Sequence, residues 1–229
     1  MPLASAAGAS PPEPRRRPGR PPRRSRPPLD RDTILEAALR LVDEHGLEAL
    51  TMRRLAAEVG VEVMSLYHYF PNKAAVLDGV ADTLLGELRV ARASHDDWDT
   101  TLREVARSLR RLARAHPRAF PLLATLGLDS PAGMRATEAV VRALSRAGFD
   151  PLVAYIAFLT IRSYVMGHAL WVINRAPRGE PGSAELAIDQ RDFPYLTALT
   201  PAIAHLRGGT AFEQGLDLIL RGIHTRGLR

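Results

Sequence analysis

Side chains that reach phosphate oxygens crowd one short stretch of this chain: Thr51, Arg53, Arg54, Tyr67, Tyr69 and Lys73. Among them sit Val63, Met64, Ser65 and His68, apolar or small polar types that suit thymine methyls and base edges. The chemistry this set could do is recognition, by charge-assisted hydrogen bonds to a polyanion and by contacts in a groove. A structural helix normally exposes Glu, Lys and Gln instead.

Bond-making chemistry finds no comparable support. The chain has 7 His and no Cys. No two His stand three to five residues apart, so there is no zinc-type local pair, and no thiolate site or disulfide framework exists. No strand pattern precedes a Gly-rich phosphate loop. Paired acids such as Asp96 and Asp97 read as solvated loop residues. No enzyme activity, metal or cofactor is expected.

The elements that must position the recognition set are short helices. Leu50 and Leu55 flank Thr51 as a hydrophobic staple, and the Thr51 hydroxyl caps a helix carrying Leu55, Ala56 and Val59 at helical spacing. Gly60 ends that helix. A second helix follows from about Glu62 to Phe70, with Leu66 and Phe70 inward. Pro71 stops it and Asn72 caps the next. Before them, Asp30 to Glu44 forms a bracing helix with Ile34, Ala38, Leu41, Val42 and His45 on its inner stripe, closed by Gly46. Two short helices around a tight turn make a helix-turn-helix, whose second helix is narrow enough for a major groove. By spacing alone, a plain connection between two bundle helices fits equally well; the residue types favour DNA.

The run from Leu29 to about Leu88 resembles the N-terminal domain of the tetracycline-repressor (TetR) family of bacterial regulators. The matching pieces are ILEAALRLVDEHGLEALTMRRLAAEVGV and SLYHYFPNKAAVLDGV, with Leu66-Tyr67-x-x-Phe70-x-Asn72-Lys73 the most specific. The Gly148-Phe149 turn before a long helix, and GLDLILRGI near the end, resemble the C-terminal domain of the tetracycline-repressor subclass. The resemblance implies an all-α, homodimeric repressor that leaves a pseudo-palindromic double-stranded operator when a small-molecule effector binds. Tetracycline repressors hold a magnesium–drug complex with His and polar residues. Here Arg89 falls near the fourth-helix His position, and LATLGLDSP replaces the polar stretch ending in Thr-Arg-Pro. Neither tetracycline nor a metal is expected.

The net charge is +6, unevenly spread. Residues 1–29 hold seven Arg and one Glu and read as a disordered Arg/Pro-rich arm. Arg17, Arg20, Arg23 and Arg24 would attract phosphates or enter a minor groove; Arg17-Pro-Gly-Arg-Pro21 loosely resembles an AT-hook core. An architectural DNA binder acting through this arm is the main rival reading, and a helical small-molecule enzyme or carrier the weaker one. Residues 30–75 are acidic overall, but most acids lie between Asp30 and Glu48, ahead of the basic groups at Arg53 to Lys73.

Residues 76–229 read as a helical ligand-binding and dimerisation domain, giving nine to ten helices in total. The fourth helix runs from Asn72 to about Arg92, and in the resembled family this helix connects the two domains. With 46% hydrophobic residues the chain can bury a sizeable core. Asp150 to Asn174 is apolar nearly all round, but Arg162 at its centre argues against a membrane span. Candidates for an effector pocket are Arg89, Trp98, Met134, Tyr155, Phe158, Arg162, Met166 and Trp171; for each but Arg162 plain core packing is the alternative, whereas a charge inside an apolar helix must be paired or functional. Phe212, Leu216, Ile219, Leu220 and Ile223 form a stripe on the last helix. In the resembled family that helix and the long one build the dimer interface; the alternative is burial within one chain. The N-terminus has no apolar signal region, and a cytoplasmic protein is expected.

Overall fold

Helix caps written in the sequence set the element boundaries. In the computed structural model, which describes residues 29–88, 98–125, 130–175, 191–204 and 209–227, the order is α1 (Arg31–His45), a 3-10 turn (Leu47–Ala49), α2 (Met52–Val59), α3 (Val63–Tyr67), α4 (Lys73–Gly86), α5 (Trp98–Ala115), α6 (Leu122–Thr125), α7 (Pro131–Arg146), α8 (Pro151–Arg175), α9 (Pro194–Ala204) and α10 (Thr210–Gly227). No strand occurs among the described residues. The arm, including Arg17, Arg20, Arg23 and Arg24, lies outside them, as does Arg89.

Asp30 caps α1 by accepting from the Thr33 N–H at 2.8 Å, and that bond holds its carboxyl below the ordinary value. Thr51 accepts from Arg54 N at 3.1 Å, and Asn72 from Ala75 N at 2.9 Å. Gly46, with φ at 86°, closes α1 and donates to the Val42 carbonyl. His45 is exposed rather than part of the inner stripe. The helix makes its last turn there, and the buried stripe instead takes in Ala37 and Leu39.

Two apolar cores result. The first joins Ile34, Ala38, Leu41 and Val42 of α1 to Leu55, Ala56, Leu66 and Phe70 of the motif and to Val76, Val80 and Leu84 of α4. It continues without a break into Leu112, Phe120, Leu123 and Met166. Residues 76–86 therefore share their packing with α1–α3. A Cβ at Gly79 would collide with the Leu35 side chain, so glycine there sets the close approach of α4 to α1. Both α3 and α4 are shorter than the sequence reading: α3 stops at Tyr67 and α4 at Gly86.

The second core packs α5, α7, α8 and α10 through Leu102, Val105, Leu109, Val140, Leu144, Ala154, Phe158, Ile161, Phe212, Leu216 and Leu220. This corrects the dimer stripe: Phe212, Leu216 and Leu220 are at most 2% exposed inside a single chain, with Ile219 and Ile223 packed at their flank. What α10 leaves outward is Leu218, 72% exposed. Gly215 admits the Tyr164 ring of α8, whose hydroxyl occupies the place of a Cβ. The α8 helix is long and apolar enough to cross a membrane by length and composition. Here it packs on α5, α7 and α10, and Arg162 donates to the Leu123 carbonyl at 2.9 Å.

Candidate nucleic-acid interface

The turn between α2 and α3 comes from one residue. Gly60 adopts φ 71°, ψ 43°, its N–H donates to Ala57 O at 3.2 Å, and Val61 N donates to Ala56 O at 2.9 Å. That is the paired-bond ending a left-handed glycine permits. At the far end, the Leu66 carbonyl accepts from both Tyr69 N and Phe70 N, each at 2.9 Å, and α3 closes.

Leu66 and Phe70 are fully buried and fix the roll of α3 on the core. This presents Met64 (68% exposed), Tyr67 (43%) and His68 to solvent on one side. Ser65 is half-buried beside them. Val63, expected on the outer face, is half-buried and packs against the first core. It sits at the first position of α3, where the turn brings it under the helix. Arg53 and Arg54 are exposed at the start of α2, and Thr51, exposed, uses its oxygen lone pair for the cap while its hydroxyl proton remains a donor. Lys73 is half-buried in the first turn of α4; one ammonium proton points to Leu47 O at 3.4 Å.

Tyr69 departs from the sequence reading. Its hydroxyl donates to the Leu29 carbonyl at 2.8 Å, so its proton is held inside the protein instead of facing a phosphate. Beside it, the Arg31 guanidinium lies over the Phe70 ring, 4.2 Å from the centroid, and donates to the Tyr69 carbonyl. Sequence spacing gave no signal for this latch, because its partners lie 38 and 40 positions apart. Nor did it reveal the clasp between the motif and the larger helices. His116 Nδ1 lies 2.6 Å from Asp43 Oδ2, its Nε2 lies 3.4 Å from Glu87, and Arg118 donates to the Asp43 and Glu44 carbonyls.

The pocket candidates do not form one cluster. Phe158 is buried in the second core and Met166 in the first. Trp98 lies against Phe149 and His224, with ring centroids 5.0 and 6.0 Å away. It borders a cleft of about 490 Å³ shared with Arg103, Asp217 and Arg221. Met134, Tyr155 and Trp171 are exposed. Arg162 is half-buried, with the Leu123 carbonyl as one partner. Among the described residues no group of His, Asp and Glu is arranged to hold a metal ion.

Residues 34–80 match the family described as bacterial regulatory proteins, tetR family, and residues 92–226 match the tetracyclin repressor-like C-terminal domain. The chain belongs to the TetR family. It is a DNA-binding transcriptional regulator, with an N-terminal helix-turn-helix and a helical C-terminal domain. The class A tetracycline repressor protein from transposon 1721 of Escherichia coli is 34% identical over 204 residues, covering 87% of this chain and 93% of that one. The TetR-family protein ActR of Streptomyces coelicolor, solved with actinorhodin, superposes with a TM-score of 0.78 at 29% identity, covering 87% and 97% of the two chains. BioQ, solved with its double-stranded DNA operator, gives a TM-score of 0.63 at 26% identity, covering 86% and 99%.

Proposed function

We propose that this TetR regulator is a homodimeric repressor that reads a pseudo-palindromic operator with Met64, Ser65 and His68 and anchors on phosphates with Thr51, Arg53, Arg54, Tyr67 and Lys73. The observation that carries the reading is the outer face of α3. A long apolar Met and an aromatic Tyr stand exposed above a fully buried Leu66 and Phe70, side-chain types suited to a groove on a helix narrow enough to enter one. Val63 contributes through packing and Tyr69 through position.

Dimerisation is supported by apolar surface that one chain leaves uncovered. Leu152, Ile156, Trp171 and Val172 of α8 and Leu218 of α10 are all exposed, on the helices flanking the second core. A two-fold pairing of these faces buries them isologously. To reach successive major grooves, the two α3 helices of such a dimer must stand about 34–36 Å apart. The effector is an organic small molecule; the relative ActR was solved with actinorhodin. Arg162 is its best contact, since the guanidinium has further donors beyond the one on Leu123. Effector binding selects a conformation in which that separation is wrong. A DNA-binding regulator of this kind works in the cytoplasm.

Footprinting of the purified protein on the DNA upstream of its own gene tests the reading. The expected result is a protected two-fold symmetric site, lost in Tyr67→Ala and Lys73→Ala. Protection without sequence preference, or retained by both variants, would sink it.

A further inference from the structure

Helices α5 and α10 run antiparallel and are joined by rungs of opposite charge. Arg103 pairs with Asp217 and with Asp99, the latter at 2.5 Å. One turn along, Arg107 holds both carboxylate oxygens of Glu213, at 3.2 and 2.8 Å. The Arg107 bonds hold the Glu213 carboxyl below its ordinary value.

The next rung brings Arg110 and Arg114, and there α10 offers no carboxylate. It begins at this level, with Gly209 and the positive end of its helix dipole. The Arg110 guanidinium packs over Gly209 and lies 4.6 Å from the Phe212 centroid. Glu213 is within electrostatic reach, but both its oxygens are held by Arg107. Burial and the neighbouring Arg114 weaken the hold of Arg110 on its proton. From α8, the His168 ring meets the same Phe212 edge-on at 5.0 Å, while Tyr164 stacks on it at 5.5 Å and donates to its carbonyl at 2.9 Å. His168 is pushed toward its neutral form by burial, then by Arg110 and Arg114.

Two guanidinium groups, an imidazole and a helix N-terminus thus meet where, among the described residues, the paired ladder has run out of acids. Like charges four residues apart on a helix repel, and partial burial makes the repulsion costlier unless a counterion is present. The exposed Trp171 ring stands 6.3 Å from His168 and extends the aromatic wall. We infer that this rung is completed by a free small-molecule oxyanion, an aromatic carboxylate or a phosphate, held by Arg110 and Arg114 with His168 beside it. The site is separate from Arg162, which leaves α8 toward α6 on another face.

The test is calorimetric titration of the full-length protein with benzoate and, separately, with inorganic phosphate, while the His168 ring is followed by NMR. Binding is expected at one site per chain, and the bound anion should raise the pH at which His168 titrates. The double variant R110Q/R114Q should weaken binding about tenfold or more. R111Q on the same helix should leave binding unchanged. If R110Q loosens the core, the exposed Arg114→Gln alone should still weaken binding severalfold. Absence of binding to the native chain, or binding that survives R110Q/R114Q, overturns the proposal.

Discussion

The hydroxyl of Tyr69, just past the end of the reading helix, donates to the carbonyl of Leu29, the residue at which the Arg-rich arm joins the fold. The arm's exit and the reading helix are thereby fixed to each other. The Arg31–Phe70 stack reinforces the same junction from the other side of the chain. Two tyrosines separated by one residue consequently have different work: Tyr69 holds the motif together, and Tyr67 stands outside it.

That division is testable. Tyr69→Phe deletes a half-buried hydrogen bond and should cost about 0.5–1.5 kcal/mol in urea unfolding. Tyr67→Phe should leave the unfolding midpoint where it is and weaken operator binding. Equal stability losses in the two variants would contradict the assignment.

In the proposed reading Lys73 and the arm act on the phosphates, and the signature of that role is salt. Lys73→Ala should weaken binding to all sequences alike and reduce the log–log salt slope by about 1. Deleting residues 1–26 removes seven Arg and should weaken binding and flatten the slope further. Anisotropy titrations between low and moderate salt read both. An unchanged slope after the deletion removes the arm from the interface.

The caps made much of this fold readable in advance. Asp30, Thr51 and Asn72 cap their helices, and Gly46, Gly60 and Gly148 end theirs with positive φ, because these are local effects carried by one residue type each. Leu66 and Phe70 were likewise readable from their i, i+4 spacing. The misreadings at His45, Val63 and the ends of α3 and α4 are local end effects, and the others are long-range. Nothing near Tyr69 in sequence says that Leu29 will accept its proton. The stripe on α10 was a true apolar face, but periodicity cannot tell whether such a face meets the same chain or a second one. The pocket candidates are scattered for the same reason: Trp98, Phe158 and Met166 are core-like in type, and only packing puts the first two with the second core and Met166 with the first.

Gly60 is the position where the motif tolerates least. With φ at 71° in the left-handed region, a Cβ costs about 1–2 kcal/mol of backbone strain. Gly60→Ala should lower stability by about that amount, and Gly60→Asn by less, since Asn visits this region more readily. Thermal or urea unfolding of the two variants gives the order. An Ala variant as stable as the native chain would show that the turn adopts another geometry.

His168 predicts the direction of acid sensitivity. Its folded-state proton affinity is lowered, first by burial and then by Arg110 and Arg114, so the unfolded chain takes up the proton at higher pH. The stability it contributes is fully present above the ordinary imidazole value of 6.5 and is lost as pH falls from there through the lower folded value. His168→Gln should flatten the unfolding midpoint over that window. A slope unaltered by the substitution would place the sensitivity elsewhere.

The proposed dimer face separates two residues of α10, Phe212 on the apolar stripe and Leu218 off it. Phe212 is fully buried beneath Arg110 and between Tyr164 and His168. Phe212→Ala opens a cavity and should cost about 3–5 kcal/mol. Leu218, on the same helix, is 72% exposed. Leu218→Glu should therefore leave each protomer folded while placing two carboxylates against each other across the two-fold axis. Sedimentation at micromolar concentration should show monomers for Leu218→Glu, with far-UV circular dichroism unchanged. Dimers that persist in that variant would move the interface off α10, and with it the spacing of the two reading helices.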